Sequence, residues 1–166
     1  MILREYPQSI SSIRKNFIVH FSASETELEN HVSPLSIKCS MKGLENYRTS
    51  GGDYGVTAGS YLIVNEGQEC SSYIKDEAET FSVYFDPLFS REVLKSLTTS
   101  SDKLLNYSFL PGKQPVQFLE KLYSHNNTLS PVIMKLRLAS RVNFDDENFI
   151  KGQFFELLNK LMIVHR

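Results

Sequence analysis

The chain has 166 residues, 41% of them hydrophobic and 22% charged, which describes one globular domain with a substantial core and argues against disorder. Its 18 basic and 19 acidic residues are spread along the sequence with a net charge of -1, so no basic stripe offers a footprint for nucleic-acid phosphates. Two cysteines, Cys39 and Cys70, are too few for a disulfide scaffold, and no Cys/His spacing suits zinc. Charges within Met1-Ile2-Leu3-Arg4-Glu5 spoil a signal core and no run reaches transmembrane length, so a soluble, cytoplasmic protein that does not engage a membrane is expected.

Asn16 to Phe21 reads as a strand, followed by polar Ser22 to Asn30 as a loop or a short exposed helix. From Leu35 the alternation is clear. Ile37, Cys39 and Met41 share one face and Ser36, Lys38 and Ser40 the other, the pattern of a half-buried strand. Lys42-Gly43 turns the chain, and Asn46 to Thr49, Asp53 to Val56, Ser60 to Asn65, Glu69 to Ile74 and Glu79 to Phe85 supply further strands, separated by Gly, Asn and Asp. Short strands joined in this way build a barrel or sandwich.

The chain changes character at Asp86-Pro87. Pro87 to Leu97 places Phe89, Val93 and Leu97 at four-residue steps behind an Asp86 N-cap, which predicts a helix. Val116 to Tyr123 suits either a strand or a helix, and its short span between Pro115 and Asn126-Asn127 favours a strand. Pro131 to Ser140 reads as a helix capped by Ser130. The last segment starts with Asp145, Asp146 and Glu147, acidity that suits a helix N-terminus without any bound cation.

Ile150, Phe154, Leu157, Leu158 and Leu161 then form one stripe, which Phe155, Met162 and Ile163 broaden. Ten of the sixteen residues from Phe149 to Val164 are apolar, so this helix requires cover on two sides, by the chain's own barrel and by a second copy of the chain, with that stripe expected at the interface. The sequence stops at Arg166 without a Gly, Asn or Pro signal, which suggests a helix still running and a longer parent protein.

Glu45-Asn-Tyr-Arg, the run from Gly55 to Glu69 (GVTAGSYLIVNEGQE) and Glu79-Thr-Phe-Ser-Val-Tyr-Phe resemble the N-terminal cupin-like domain of AraC-family transcriptional regulators. Phe154-Phe-Glu-Leu-Leu-Asn-Lys-Leu resembles the helix that precedes the helix-turn-helix half of such proteins. The likeness covers Leu35 to the C-terminus and implies a fold that is mainly β with C-terminal α: a double-stranded β-helix (jelly-roll barrel) followed by dimerisation helices. Residues 1–125 would form the sensor barrel, with an inserted helix near 87–98, and residues 126–166 a helical dimerisation segment leading to a DNA-binding domain outside this chain.

Cupin enzymes hold a metal with histidines and a carboxylate. Their second motif resembles Gly59-x5-Asn65-x-Gly67-x2-Cys70, where Cys70 stands in the place of the metal histidine and reads as a buried thiol. No metal, cofactor or enzymatic activity is therefore expected. Gly51, Gly52 and Gly55 sit between strands as turn residues rather than in a phosphate loop, and His20, His31, His125 and His165 stand in no nucleophile motif.

A ligand pocket would draw on Tyr47, Arg48, Tyr61, Tyr73 and Tyr84, which combine apolar bodies with polar tips. Arg48 is the residue suited to a carboxylate, although strand parity forbids Tyr47 and Arg48 from both pointing inward. The expected function is effector sensing and homodimerisation within an AraC-type regulator that meets DNA only through its absent domain. The alternative is a small metal-independent enzyme acting on a sugar or nucleotide-sugar, with Tyr and His as acid and base.

Overall fold

Strand pairing in this chain is nested. The computed structural model describes residues 1–98 and 117–165. Its strands are β1 (Ile2–Leu3), β2 (Phe17–Ala23), β3 (Thr26–Val32), β4 (Ser36–Lys42), β5 (Glu45–Thr49), β6 (Gly52–Val56), β7 (Ser60–Val64), β8 (Glu69–Ile74), β9 (Ala78–Tyr84) and β10 (Leu122–Ser124). The helices are α1 (Pro87–Thr98), α2 (Ser130–Arg141) and α3 (Glu147–His165). Around the β5–β6 turn, β4 pairs with β7, β3 with β8 and β2 with β9, all antiparallel. One long ribbon is thus folded over on itself, and the β4–β9 and β5–β8 pairings close it. The result is two sheets, β1-β2-β9-β4-β7-β10 and β3-β8-β5-β6, which is the double-stranded β-helix of jelly rolls and cupins.

The six-stranded sheet is buried on both faces. Ile18, Ile37, Cys39, Ile63, Phe81 and Val83 face the helices, where they join Val132, Leu136, Phe154 and Leu158 in the main core. Residues of opposite parity, such as Val19, Leu62 and Tyr84, join smaller clusters with residues of the four-stranded sheet. Gly43 sits at φ +80 in the β4–β5 turn, where a Cβ would run into the Glu77 carbonyl, so this turn requires glycine. Ile10, in a short 3-10 turn, packs with Phe17, Leu28 and Tyr84, so the N-terminal segment closes part of the barrel. No described helix is long and apolar enough to cross a membrane.

Several expectations are corrected. Residues 26–30 belong to strand β3 rather than a loop or helix, because β8 offers Thr26, Glu27 and Leu28 a ladder that their polarity alone does not reveal. Strand β4 is covered on both sides, since its Ser36, Lys38 and Ser40 face lies inside the barrel instead of in water. Within Val116 to Tyr123 only Leu122 and Tyr123 are in a strand, paired with β7, and Val116 lies outside the described residues. Ser130 is the first residue of α2 rather than its cap; the Asn126 side chain accepts from the Thr128 and Leu129 amides just ahead of it.

The largest correction concerns α3. Ile150, Phe154, Leu157, Leu158 and Leu161, expected at a dimer interface, are at most 4% exposed, because they cover the outer face of the chain's own six-stranded sheet. The stripe is spent within the protomer. Phe155 and Ile163 form the exposed apolar side of the same helix.

Candidate functional site

Barrel interiors this small are filled by side chains, and this one is filled by charge as well as by hydrocarbon. Lys38 on β4 is fully buried, and its ammonium donates to the Tyr84 hydroxyl while lying 3.8 Å from the Tyr84 ring centroid and 5.8 Å from that of Tyr47. Glu45 on β5 is equally buried and acts as the acceptor for three hydroxyls. Thr80 donates to Oε1 at 2.6 Å, Ser72 to Oε2 at 2.8 Å, and Tyr6 reaches Oε2 from the N-terminal segment. Tyr6 also lies 3.4 Å from the Tyr47 hydroxyl.

Burial sets the protonation states. It lowers the Lys38 pKa to about 8, against the opposing influence of the neighbouring Cys70 and Glu45 side chains, so the group remains largely an ammonium at neutral pH. Burial likewise raises Tyr6, Tyr47 and Tyr84 well above the ordinary phenol range, which keeps them as neutral donors. It pushes Cys39 up to about 12 and raises Cys70, so both are thiols. His31 stands opposite Cys70 in the β3–β8 register, and burial followed by the Lys38 charge lowers its pKa. Its Nδ1–H donates to the Glu29 carbonyl at 3.1 Å, which leaves Nε2 a buried acceptor without a donor. The interior thus holds an ammonium with one hydrogen bond and an unpaired imidazole nitrogen within a packed polar core.

No family model and no curated protein matches the chain. Among solved structures it is similar to ToxT from Vibrio cholerae, with 10% identity and a TM-score of 0.49 over 85% of this chain and 54% of that one. It is also similar to a conserved protein of unknown function from Streptococcus pyogenes, with 20% identity and a TM-score of 0.42 over 52% of this chain and 81% of that one. A cupin-2 domain protein from Shewanella frigidimarina follows at 15% identity and a TM-score of 0.39, over 48% and 79%. The chain spans about half the length of ToxT. Identities this low transfer no activity.

On the outer face of the six-stranded sheet a second polar group ties the barrel to α2. Glu79 on β9 accepts from Arg137 through Nε at 3.0 Å and Nη2 at 2.9 Å, and from His20 Nε2 at 2.7 Å. Because Nε2–H donates to the carboxylate when the ring is neutral, Nδ1 must accept, and Ser140 Oγ–H supplies that bond at 2.7 Å. Burial lowers the His20 pKa, which favours the neutral ring. Arg4 donates to Ser140 Oγ at 3.1 Å and to the Ser140 carbonyl at 2.5 Å. A serine, histidine and glutamate in series have the order of a hydrolytic triad, yet Ser140 is fully buried, with Arg4 bonded to its hydroxyl and carbonyl. The group fastens α2 to the barrel wall.

Hydrogen bonds from Arg137, with His20 assisting, hold Glu79 down to a pKa of about 2 against the upward effect of burial. A depressed carboxylate contributes stability that is complete above its unfolded pKa of roughly 4.3 and lost as the pH falls toward the folded value. Acid unfolding of the wild type between about pH 4.3 and 2 should therefore be shifted upward in Arg137→Ala, which thermal melts across that range would reveal. Equal acid midpoints for the two proteins would contradict this role.

The five expected ligand residues fall in three places. Tyr47 and Tyr84 are in the interior, each at most 1% exposed. Arg48 and Tyr73 line a shallow groove of about 520 Å³ on the outer face of the four-stranded sheet, and Arg48 there is spent on Asp53 at 2.9 Å. Tyr61 faces the helices, stacked on Tyr123 with its hydroxyl 2.5 Å from His165 Nε2. Lys38, Glu45 and His31 were not anticipated. Lys38 belongs to the alternation of Ser36, Lys38 and Ser40, which has the same form whether the polar face meets water or a polar interior; Glu45 and His31 carry no such signal. Asn65 clasps the backbone of Phe118 through two 2.8 Å bonds, and Cys70 is a free buried thiol. Among the described residues no group of three His, Cys, Asp or Glu side chains could hold a metal ion.

Proposed function

We propose that this chain is the regulatory domain of an AraC-type transcription regulator, which senses a small effector in its barrel, pairs with a second copy and passes the signal to a DNA-binding domain outside this sequence. The observation that carries the reading is the two-sided wiring of β9. Thr80 bonds Glu45 inside the barrel, while its neighbour Glu79 bonds His20 and Arg137 on the helix side. A ligand that draws on Lys38 or displaces a hydroxyl from Glu45 shifts β9, and the same strand holds α2. Differential binding to two arrangements of that strand is all that a sensor requires. The sequence resemblance from Leu35 onward supports the same reading.

The test is to read the gene beyond Arg166 and to assay its full product for sequence-specific DNA binding. A following pair of helix-turn-helix units and selective binding is the expected result. A product that ends at Arg166, stays monomeric and binds no DNA would overturn the proposal and favour the enzyme reading, to be pursued with sugar substrates.

A further inference from the structure

A cavity of about 500 Å³ lies at one end of the barrel, apart from the interior chamber. The β3–β4 connection, the β7–β8 turn and the start of α1 enclose it, and the Gly67 amide donates to the Ser33 carbonyl at 2.9 Å to tie the first two together. Val32 and Leu88, which are 48% and 67% exposed, give it apolar walls. Four charged residues, Arg14, Glu66, Asp86 and Arg91, line it as well.

These charges are incompletely matched. Arg91 Nη2 donates to Glu66 Oε2 at 2.5 Å, but Glu66 Oε1 and Arg91 Nε are both buried without a partner, and so is Asp86 Oδ1. Of the seven buried, unpartnered side-chain atoms among the described residues, three belong to this one cavity. A buried polar atom left unpaired costs on the order of 1–3 kcal/mol, so this cluster sets the cavity apart from the other surfaces of the described residues. Arg14 adds a guanidinium at the exposed rim, where its side chain bonds only the Ser11 carbonyl, at 2.7 Å.

Once the Arg91–Glu66 pair is set aside, one negative group, Asp86, and one positive group, Arg14, are left over beside an apolar wall. A simple anion would answer only Arg14, and a simple cation only Asp86. A molecule carrying an ammonium, a carboxylate and a hydrocarbon side chain answers all three features. We infer that this cavity binds a free apolar α-amino acid, its ammonium donating to Asp86, its carboxylate accepting from Arg14, and its side chain against Val32 and Leu88. This site goes beyond the regulator reading and does not depend on DNA binding, so either can fail alone.

The test is isothermal titration of the chain with L-leucine, with 4-methylpentanoate, which lacks the ammonium, and with 3-methylbutylamine, which lacks the carboxylate. L-leucine should give a saturable isotherm, and each analogue should bind about tenfold more weakly or worse, as the loss of one charge-assisted bond implies. Asp86→Asn and Arg14→Gln, each checked for an unchanged melting curve, should each weaken L-leucine binding by about tenfold. Asp86→Asn should also abolish the preference for L-leucine over 4-methylpentanoate, and Arg14→Gln the preference over 3-methylbutylamine. No saturable binding of L-leucine to the folded chain, equal binding of the analogues, or binding indifferent to both substitutions would overturn the assignment.

Discussion

Glu45→Ala should destabilise the protein by about 3–5 kcal/mol, the range for removing the charged partner of a buried hydrogen-bonded group. The carboxylate is 1% exposed and serves as acceptor for Tyr6, Ser72 and Thr80 at once. Its loss leaves the buried Ser72 and Thr80 hydroxyls and the part-buried Tyr6 hydroxyl without their acceptor and removes a carboxylate that favours the Lys38 ammonium. Urea denaturation would measure the change. Glu45→Gln keeps the shape and one acceptor oxygen, so it should cost less than Glu45→Ala. A cost below about 1 kcal/mol for the alanine variant would mean that water enters the barrel and satisfies these groups, contrary to a closed interior.

Phe154→Ala should have a comparable effect, about 3–5 kcal/mol, with no change in association state. Its ring is fully buried and meets Phe85 edge-on at a centroid separation of 5.5 Å, in the layer between α3 and the six-stranded sheet. Phe155, the next residue, is 44% exposed, so Phe155→Ala should cost far less. Denaturation and light scattering on the two variants separate core from surface. A Phe154→Ala chain that kept its stability and changed only its oligomeric state would restore the stripe to an interface.

Most strands were legible because β-branched and aromatic runs between Gly, Asn and Asp turns leave few other options; β5 through β9 fall within a residue or so of their expected limits. Helix α1 was legible for a similar reason, with Pro87 at its start and a four-residue apolar step. What period and composition do not carry is which of two buried environments a face meets. Lys38 follows the alternation of a solvent-facing lysine, and only the four-stranded sheet folded over that face of β4, with Tyr47 of β5 beside the ammonium, makes it an interior one. Likewise, the breadth of the apolar stripe on α3 was sound evidence for cover on more than one side. The six-stranded sheet supplies that cover, with α1 and α2 packing alongside. Residues of the candidate chamber were half legible. Tyr47 and Tyr84 have the size and the polar tip that betray a lining residue, whereas Glu45 and Thr80 are ordinary strand residues until the fold brings their oxygens to within 2.6 Å.

The most direct measurement of the link between chamber and helices is amide hydrogen exchange in Thr80→Val. This nearly isosteric change deletes one hydroxyl bond to Glu45 inside the barrel and touches nothing on the helix side. If β9 carries signals outward, protection should fall along α2, where Arg137 and Ser140 are anchored through Glu79 and His20, and should fall less along α1. Loss of protection confined to β9 and β5, with α2 unchanged, would contradict a barrel that reports its contents to the helices.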